Sequence, residues 1–167
     1  MFFLRYLTRE ISIHPSFFGS NLEHRLTSQL YADLEGSCNG EYYIVCIMDI
    51  AHISPGRVRP GSGQADFEIQ YRAILWKPFK GETVDCMVTS VKSQGVFTEC
   101  GPLTVFVSSA HLSPGMKYNP DATPVQYSTP QGDVIEKGSA VRVQIIGLRS
   151  DVNAMFGIGK MSGEHFG

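Results

Sequence analysis

The sequence has little surplus charge and no long apolar segment. Fourteen lysines and arginines stand against sixteen acidic residues, which gives a formal net charge of −2. Any nucleic-acid binding must therefore rest on a local patch. The longest apolar run, Tyr42 to Met48, is far too short to cross a bilayer. Arg5, Arg9 and Glu10 argue against a signal peptide in the first residues. We therefore expect no membrane association.

Motifs for metals, cofactors and catalysis are also missing. None of the four cysteines forms a Cys-x-x-Cys pair, and the five histidines lack metal-ligand spacing. We expect reduced thiols and no metal. No nucleophile elbow or P-loop occurs, and Gly157-Ile158-Gly159 lies inside a predicted strand, so it is not a dinucleotide fingerprint. The sequence therefore predicts a non-enzymatic protein without a cofactor.

What is present divides into two patterns, and the first predicts a β-α-β-β unit over residues 1–80. Strands are expected at Met1 to Ile13, at Tyr42 to Ile50 with both faces buried, and at Ala65 to Leu75, whose apolar residues alternate. Between the first two strands, leucines recur every fourth residue at 22, 26, 30 and 34, which predicts a helix packed on a sheet. A capping box of Ser20 and Glu23 should begin this helix, and Gly36 should end it.

The second pattern, over residues 81–167, predicts a five-stranded OB-fold barrel. Its strands are expected at Thr83 to Val91, Val96 to Cys100, Leu103 to Val107, Ala140 to Leu148 and Ala154 to Met161. A long excursion without periodicity, Ser113 to Gln131, separates the third strand from the fourth, as in a small Greek-key barrel. The whole chain is thus predicted to be an α+β protein of two domains.

The barrel offers a candidate surface for single-stranded RNA. Phe97 and Phe106 are out of phase with the valines expected to fill the barrel, so both rings should face outward. Basic side chains that could meet phosphates are Lys92, Arg142, Arg149 and Lys160. The alternative is that either phenylalanine covers the barrel against the first domain.

A second candidate surface is the loop from Ser54 to Gln64. It carries Arg57, Val58 and Arg59 on a frame of two prolines and three glycines. Long irregular loops on a rigid sheet are usually functional or mobile. Two arginines and a valine at such a tip suit docking into a pocket of another protein, or contact with phosphate.

Several stretches, in order along nearly the whole chain, resemble the larger stalk subunit of DNA-dependent RNA polymerases, and most of all its members in eukaryotic RNA polymerase II. These stretches are Met1 to Leu4, His14 to Gly19, Leu34 to Cys38, Gly56 to Gly63, Tyr71 to Glu82, Gly101 to Leu103, Val105 to Ser109, Val134 to Ser139 and Phe156 to Gly159. No single motif decides the resemblance, which rests on their order and spacing.

The resemblance implies a non-catalytic nuclear protein with a truncated ribonucleoprotein-like first domain and an OB barrel. It implies a smaller stalk subunit as partner, docking beside the clamp of the polymerase core, and contacts with nascent RNA and general initiation factors. The docking residues it implies are Phe17, Phe18, Gly19, Gly56, Arg57, Val58, Arg59, Pro60 and Gly61.

The sequence departs from RNA-binding barrels of this type at two positions. An aromatic residue and a histidine are common where Gln94 and Ser108 stand, so we expect modest, sequence-tolerant RNA affinity. The alternatives are a stalk subunit of another nuclear polymerase and a free-standing RNA-binding adaptor. The resemblance assigns no function to the excursion over residues 113–131.

Overall fold

The computed structural model describes residues 1–161, which fall into two compact units: Met1–Lys77, and a second unit that begins at Pro78. The first unit contains β1 (Phe2–Ile13), α1 (Leu22–Leu34), β2 (Tyr43–Ile53), β3 (Arg57–Val58) and β4 (Ala65–Trp76). The second contains β5 (Thr83–Lys92), β6 (Gly95–Cys100), β7 (Leu103–Ser108), β8 (Lys117–Asn119), β9 (Gln126–Ser128), β10 (Val134–Ile135), β11 (Ala140–Ser150) and β12 (Met155–Lys160). Residues 162–167 of the predicted second domain lie outside the described part.

The first unit is an antiparallel sheet with the helix on one face. The central strand β4 pairs with β1 along its whole length, from Phe2 opposite Trp76 to Ile13 opposite Ala65, and with β2 on its other side. As predicted, Phe67, Ile69, Tyr71, Ala73 and Leu75 alternate into the core, where they meet the leucines of α1. Leu26 and Leu30 are almost fully buried there, and Gly36 follows the helix at φ +75°.

Two predictions for this unit are wrong in detail. Ser20 and Glu23 form no capping box, because a turn in which the Leu22 amide donates to the Gly19 carbonyl moves the N-cap to Asn21. β2 is not buried on both faces either. Val45 and Met48 fall at irregularities in its pairing with β4, and both are exposed, since α1 covers only one face of the sheet.

The second unit is the closed five-stranded barrel that the sequence predicts, with strand order β11-β12-β7-β6-β5. β12 runs parallel to β7, and the other neighbours in the barrel are antiparallel. Fully buried valines fill its interior. The one helix of the first unit, its sheet and this barrel confirm the α+β class.

Two segments predicted to be irregular contain strands. The loop over residues 54–64 contributes β3, which pairs with Asp66 and Ala65 of β4. The excursion over residues 113–131 contains β8 and β9, which form a small separate sheet with β10. Strands of two or three residues are too short to produce an alternating pattern, which is why the sequence did not indicate them.

Candidate nucleic-acid interface and docking tip

An aromatic pair lies on the outer face of the barrel. Phe97 of β6 is directly opposite Phe106 of β7, and their ring centroids are 4.9 Å apart with an interplanar angle of 46°. Val96, Val105 and Val107, which alternate with these rings, are fully buried inside the barrel. Both phenylalanines therefore point outward, and each is half-buried. Such a pair offers an aromatic face on which a base could stack.

Lys92 stands over this pair from the end of β5. Its Nζ lies 5.1 Å from the centroid of the Phe97 ring, which is a cation–π distance. Gln94 occupies the adjoining turn, where its carbonyl accepts from the Ser109 amide, and Ser108 is opposite Gly95. The two residues that depart from the usual RNA-binding pattern thus lie at the Lys92 end of the aromatic pair, and neither supplies an additional ring.

Tyr127, which no pattern in the sequence indicates, holds the same turn. Tyr127 of β9 is buried, and its hydroxyl lies 2.9 Å from the Lys92 carbonyl and 3.0 Å from the Ser93 carbonyl, to which it donates. Burial raises the pKa of Tyr127, which is the direction that favours the protonated hydroxyl, the form that donates. The small sheet of the excursion therefore holds the backbone that carries Lys92.

The other predicted basic residues are divided by the fold. Arg149 of β11 lines a groove with Phe106, whereas Arg142 lies elsewhere on the barrel and is paired with Asp85 through Nε–Oδ1 and Nη2–Oδ2 contacts of 2.7 and 3.3 Å. This pairing raises the pKa of Arg142 and lowers that of Asp85. Ser90 is the residue of β5 opposite Phe97, and Asp85 lies roughly 16 Å along the strand from it. The structure thus groups Arg149, but not Arg142, with the rings.

Lys160 ends β12, whose outward residues the sequence analysis missed. Phe156 and Ile158 alternate with the buried residues of this strand, and each is 46% exposed. Lys160 follows them on the same side of the strand and lies opposite Gln144. The inward positions Gly157 and Gly159 have no side chains, so the hydropathy alternation that reveals an outward phenylalanine is weak here.

The predicted docking residues of the first unit lie near one another at one end of its sheet. Phe17 and Phe18 follow β1 in a short 3₁₀ turn, and both rings are exposed, with the Arg25 guanidinium 5.3 Å from the Phe17 ring centroid. A Cβ placed on Gly63 would lie 3.4 Å from Cγ of Pro15. The 54–64 loop therefore touches the turn that carries Phe17.

Short-range contacts hold this loop in place. Arg59 donates to Oδ2 of Asp66 from Nε at 3.1 Å and from Nη2 at 2.8 Å. The Ser12 hydroxyl donates to the other oxygen of Asp66, and these bonds, that of Ser12 foremost, lower the pKa of Asp66. Gly56 packs on Phe67 so closely that a Cβ there would lie 2.6 Å from the ring. Arg59 is thus engaged internally, whereas Val58 is left 65% exposed.

An exposed apolar patch lies on the face of the first sheet that α1 does not cover. Phe2, Leu4 and Tyr6 alternate along the start of β1, and all three are more than half exposed. Apolar residues clustered in this way are typical of a surface that another protein covers. The inward-facing neighbours further along β1, Ile11 and Ile13, are buried against the helix side.

The described residues offer no metal site and no membrane span. Among residues 1–161 no group of three or more histidine, cysteine, aspartate or glutamate side chains is arranged to hold a metal ion. The only α-helix in that range, α1, is not long and apolar enough to cross a membrane. The four cysteines carry free thiols.

Comparisons with known protein families match both units. Residues 8–63 match the SHS2 domain found in the N terminus of Rpb7p/Rpc25p/MJ0397, and residues 77–159 match the S1 RNA binding domain. The second match begins at Lys77, the last residue of the first unit.

Curated relatives match along the whole chain. The chain is 48% identical to DNA-directed RNA polymerase II subunit rpb7 of Schizosaccharomyces pombe, over 99% of this chain and 98% of that protein. It is 38% identical to RNA polymerase II subunit RPB7 of Saccharomyces cerevisiae, over 100% of this chain and 99% of that protein. The match to RNA polymerase V subunit 7 of Arabidopsis thaliana is shorter: 30% identity over 64% of this chain and 60% of that protein.

Proposed function

We propose a role for each of the two units of this chain, which belongs to the Rpb7 family of RNA polymerase II stalk subunits. The barrel holds single-stranded nascent RNA, and the first unit docks on the polymerase. The observation that carries the RNA-binding role is the Phe97–Phe106 pair with Lys92 above it, in a domain that matches the S1 RNA binding family. The chain itself carries out no catalysis in this proposal, and it acts in the nucleus.

The proposed docking contact is the tip formed by the Phe17 turn and the 54–64 loop. Val58 is exposed there on a short strand, while the bonds of Arg59 to Asp66 and the contact of Gly56 with Phe67 fix the backbone. A loop that is already ordered loses little conformational entropy when it binds. This favours insertion of the tip into a pocket of the polymerase core, beside the clamp.

The proposed surface for the smaller stalk subunit is the apolar patch of Phe2, Leu4 and Tyr6. Covering three large side chains that are each more than half exposed would remove substantial apolar area from water, and this is the main driving force for a stable heterodimer. Contacts with general initiation factors belong to the same proposal, which assigns them no residues.

Binding of a labelled single-stranded RNA by the full-length chain tests the central role. One stacked base contributes roughly 1–3 kcal/mol, so Phe97→Ala or Phe106→Ala should weaken binding about tenfold or more. Val134→Ala, which shortens an exposed apolar side chain on β10, outside the barrel sheet, is the control and should bind normally.

Thermal unfolding of the same variants separates stacking from a purely structural role. Both rings are half-buried, so each alanine variant should also melt somewhat earlier. If Phe97→Ala and Phe106→Ala melt earlier yet bind RNA as tightly as Val134→Ala does, the rings only cover the barrel and the RNA-binding role is wrong.

Purification distinguishes an RNA polymerase II subunit from two alternatives. A stalk subunit of another nuclear polymerase should copurify with that polymerase's core, and a free-standing adaptor should copurify with no core at all. The full-length match to RNA polymerase II subunits, against 64% coverage for the polymerase V subunit, favours RNA polymerase II.

A further inference from the structure

Two thiols of the barrel lie side by side, and neither belongs to the docking tip or to the aromatic pair. Cys86 of β5 and Cys100 of β6 are on neighbouring antiparallel strands. Met87 is opposite Glu99 in that pairing, so one step further along each strand brings Cys86 opposite Cys100. The two thiols are also hydrogen-bonded to each other. The barrel therefore brings two cysteine sulfurs together.

The strand geometry at this pair is within the range of a disulfide. Residues directly opposite each other in an antiparallel pair have Cα atoms about 4.5–5.5 Å apart, and a disulfide needs roughly 4.4–6.8 Å between its Cα atoms. Both side chains also point into the barrel, since Cys86 alternates with the buried Val88 and Cys100 alternates with the fully buried Thr98. A bond between the two sulfurs therefore requires no movement of either strand.

The two cysteines differ in access and in ionisation. Cys86 is only 4% exposed, whereas Cys100, the last residue of β6, is half-buried. The hydrogen bond from Cys86 lowers the pKa of the Cys100 thiol to about 7, although burial and the carboxylates of Glu82 and Asp85 act in the opposite direction. The bond to Cys100, together with burial, raises the pKa of Cys86. Because the thiolate is the nucleophilic form, Cys100 is the sulfur that reacts first with an oxidant.

We propose that Cys86 and Cys100 form a reversible disulfide when the protein meets a peroxide, which makes them a redox-sensitive crosslink between β5 and β6. The Cys100 thiolate attacks one oxygen of hydrogen peroxide, so that an S–O bond forms, the O–O bond breaks, and the departing hydroxide takes up a proton to become water. The Cys86 sulfur then attacks the sulfur of the resulting sulfenic acid. The S–S bond forms, the S–O bond breaks, and hydroxide leaves with the Cys86 proton as a second water. The two sulfurs have then lost the two electrons that the peroxide gained.

Reduction by glutathione reverses the crosslink. Glutathione keeps most intracellular thiols reduced, so a disulfide inside a cell is usually transient. Two glutathione thiols supply the two electrons and two protons that restore Cys86 and Cys100, and they become glutathione disulfide. While it lasts, the crosslink closes a loop over residues 86–100, which contains the whole β5–β6 turn. Closing a loop restricts the unfolded chain, so the oxidised barrel should be more stable than the reduced one.

Peptide mapping of the full-length chain tests the crosslink. The reduced protein is treated with hydrogen peroxide, its remaining thiols are alkylated, and it is digested with trypsin without a reductant. Trypsin places Cys86 and Cys100 on separate peptides, 81–92 and 93–117, which should be found linked to each other. Treatment of the oxidised protein with reduced glutathione should separate them. Thermal unfolding before and after oxidation should show a rise in melting temperature of roughly 10 °C or more.

Three cysteine variants assign the roles of the two sulfurs. Cys86→Ser and Cys100→Ser should each lose both the linked peptides and the rise in melting temperature. Cys86→Ser should in addition stop at the sulfenic acid of Cys100, which dimedone labels on peptide 93–117. The matched control is Cys46→Ser, which removes another half-buried thiol, on β2 of the first unit. That variant should form the crosslink as the parent chain does.

The parent chain alone can overturn the proposal, whether or not the variants fold. If peroxide leaves peptides 81–92 and 93–117 unlinked, with Cys100 either unmodified or oxidised beyond the sulfenic acid, the pair does not form a disulfide and the proposal is wrong. If the linked peptides come only from covalent dimers on a non-reducing gel, the bond joins two chains and a crosslink within the barrel is refuted.

Discussion

Gly159 lies where the barrel has no room for a side chain, so Gly159→Ala should destabilise the second unit. A Cβ at this position of β12 would collide with Cγ1 of Val143 and would lie 2.9 Å from Cγ1 of Val105. Both valines are fully buried, and they come from β11 and β7, the two neighbours of β12. Neither valine can move outward without opening the barrel.

Overpacking of this kind costs roughly 2 kcal/mol. In a domain of 60–100 residues, each kcal/mol lowers the melting temperature by about 4–8 °C, so Gly159→Ala should melt about 8–16 °C earlier. The measurement is thermal unfolding of the full-length chain followed by circular dichroism. The matched control is Gly147→Ala on the adjacent strand β11, where a Cβ would meet no atom within 4 Å. That variant should melt within a few degrees of the parent chain.

A compensating substitution tests the cause. Val143→Ala removes the methyl group that the new Cβ would strike, at the cost of a small cavity. The Val143→Ala/Gly159→Ala double variant should therefore be more stable than the sum of the two single effects predicts, which is the sign of two groups in contact. If Gly159→Ala melts at the same temperature as Gly147→Ala, or if the two single effects simply add in the double variant, contact between the new Cβ and Val143 is not the cause of the destabilisation.

Two further predictions concern the docking tip and the excursion sheet. Val58→Asp should abolish capture of the polymerase core while retaining the smaller stalk subunit, and Val134→Asp, at another exposed valine, should affect neither in the same copurification. Retention of the core by Val58→Asp would contradict the docking role. Tyr127→Phe leaves the Lys92 and Ser93 carbonyls without the hydroxyl donor. The free energy of unfolding, measured in urea, should fall by about 1 kcal/mol, and binding of the labelled single-stranded RNA should weaken. An unchanged affinity would mean that the excursion sheet does not position Lys92.

The sequence predicted those elements in which every second or fourth residue is large and apolar. The clean alternation of residues 65–75 and the leucine stripe of α1 gave β4 and the helix, and the valines of β6 and β7 gave the outward direction of Phe97 and Phe106. Such patterns depend only on local spacing, because one face of the element is buried. The elements that were missed, β3 and the excursion sheet, are too short to show a period.

The candidate site was harder to predict because its members depend on distant partners. Arg142 carries the same charge as Arg149, but Asp85, which is 57 residues away in the sequence, neutralises it. Phe156 was missed because glycines stand where inward apolar residues would mark the strand. Tyr127 was missed because its hydrogen bonds reach back across 34 and 35 residues to a turn of the barrel. Spacing along the chain reports none of these relationships.

The pairing of charges explains how a chain with a net charge of −2 could still present an RNA-binding face. Three arginines within residues 1–161, at 59, 72 and 142, are held by carboxylates and contribute little field to a ligand. Lys92 instead lies over the Phe97 ring, and Arg149 lies at the edge of the Phe106 groove. Of the basic side chains that the sequence predicts for this face, Lys92 and Arg149 are thus the two that lie beside outward phenylalanines. A face with few available cations and several rings has to bind mainly by stacking, which favours unpaired bases of any sequence over duplex.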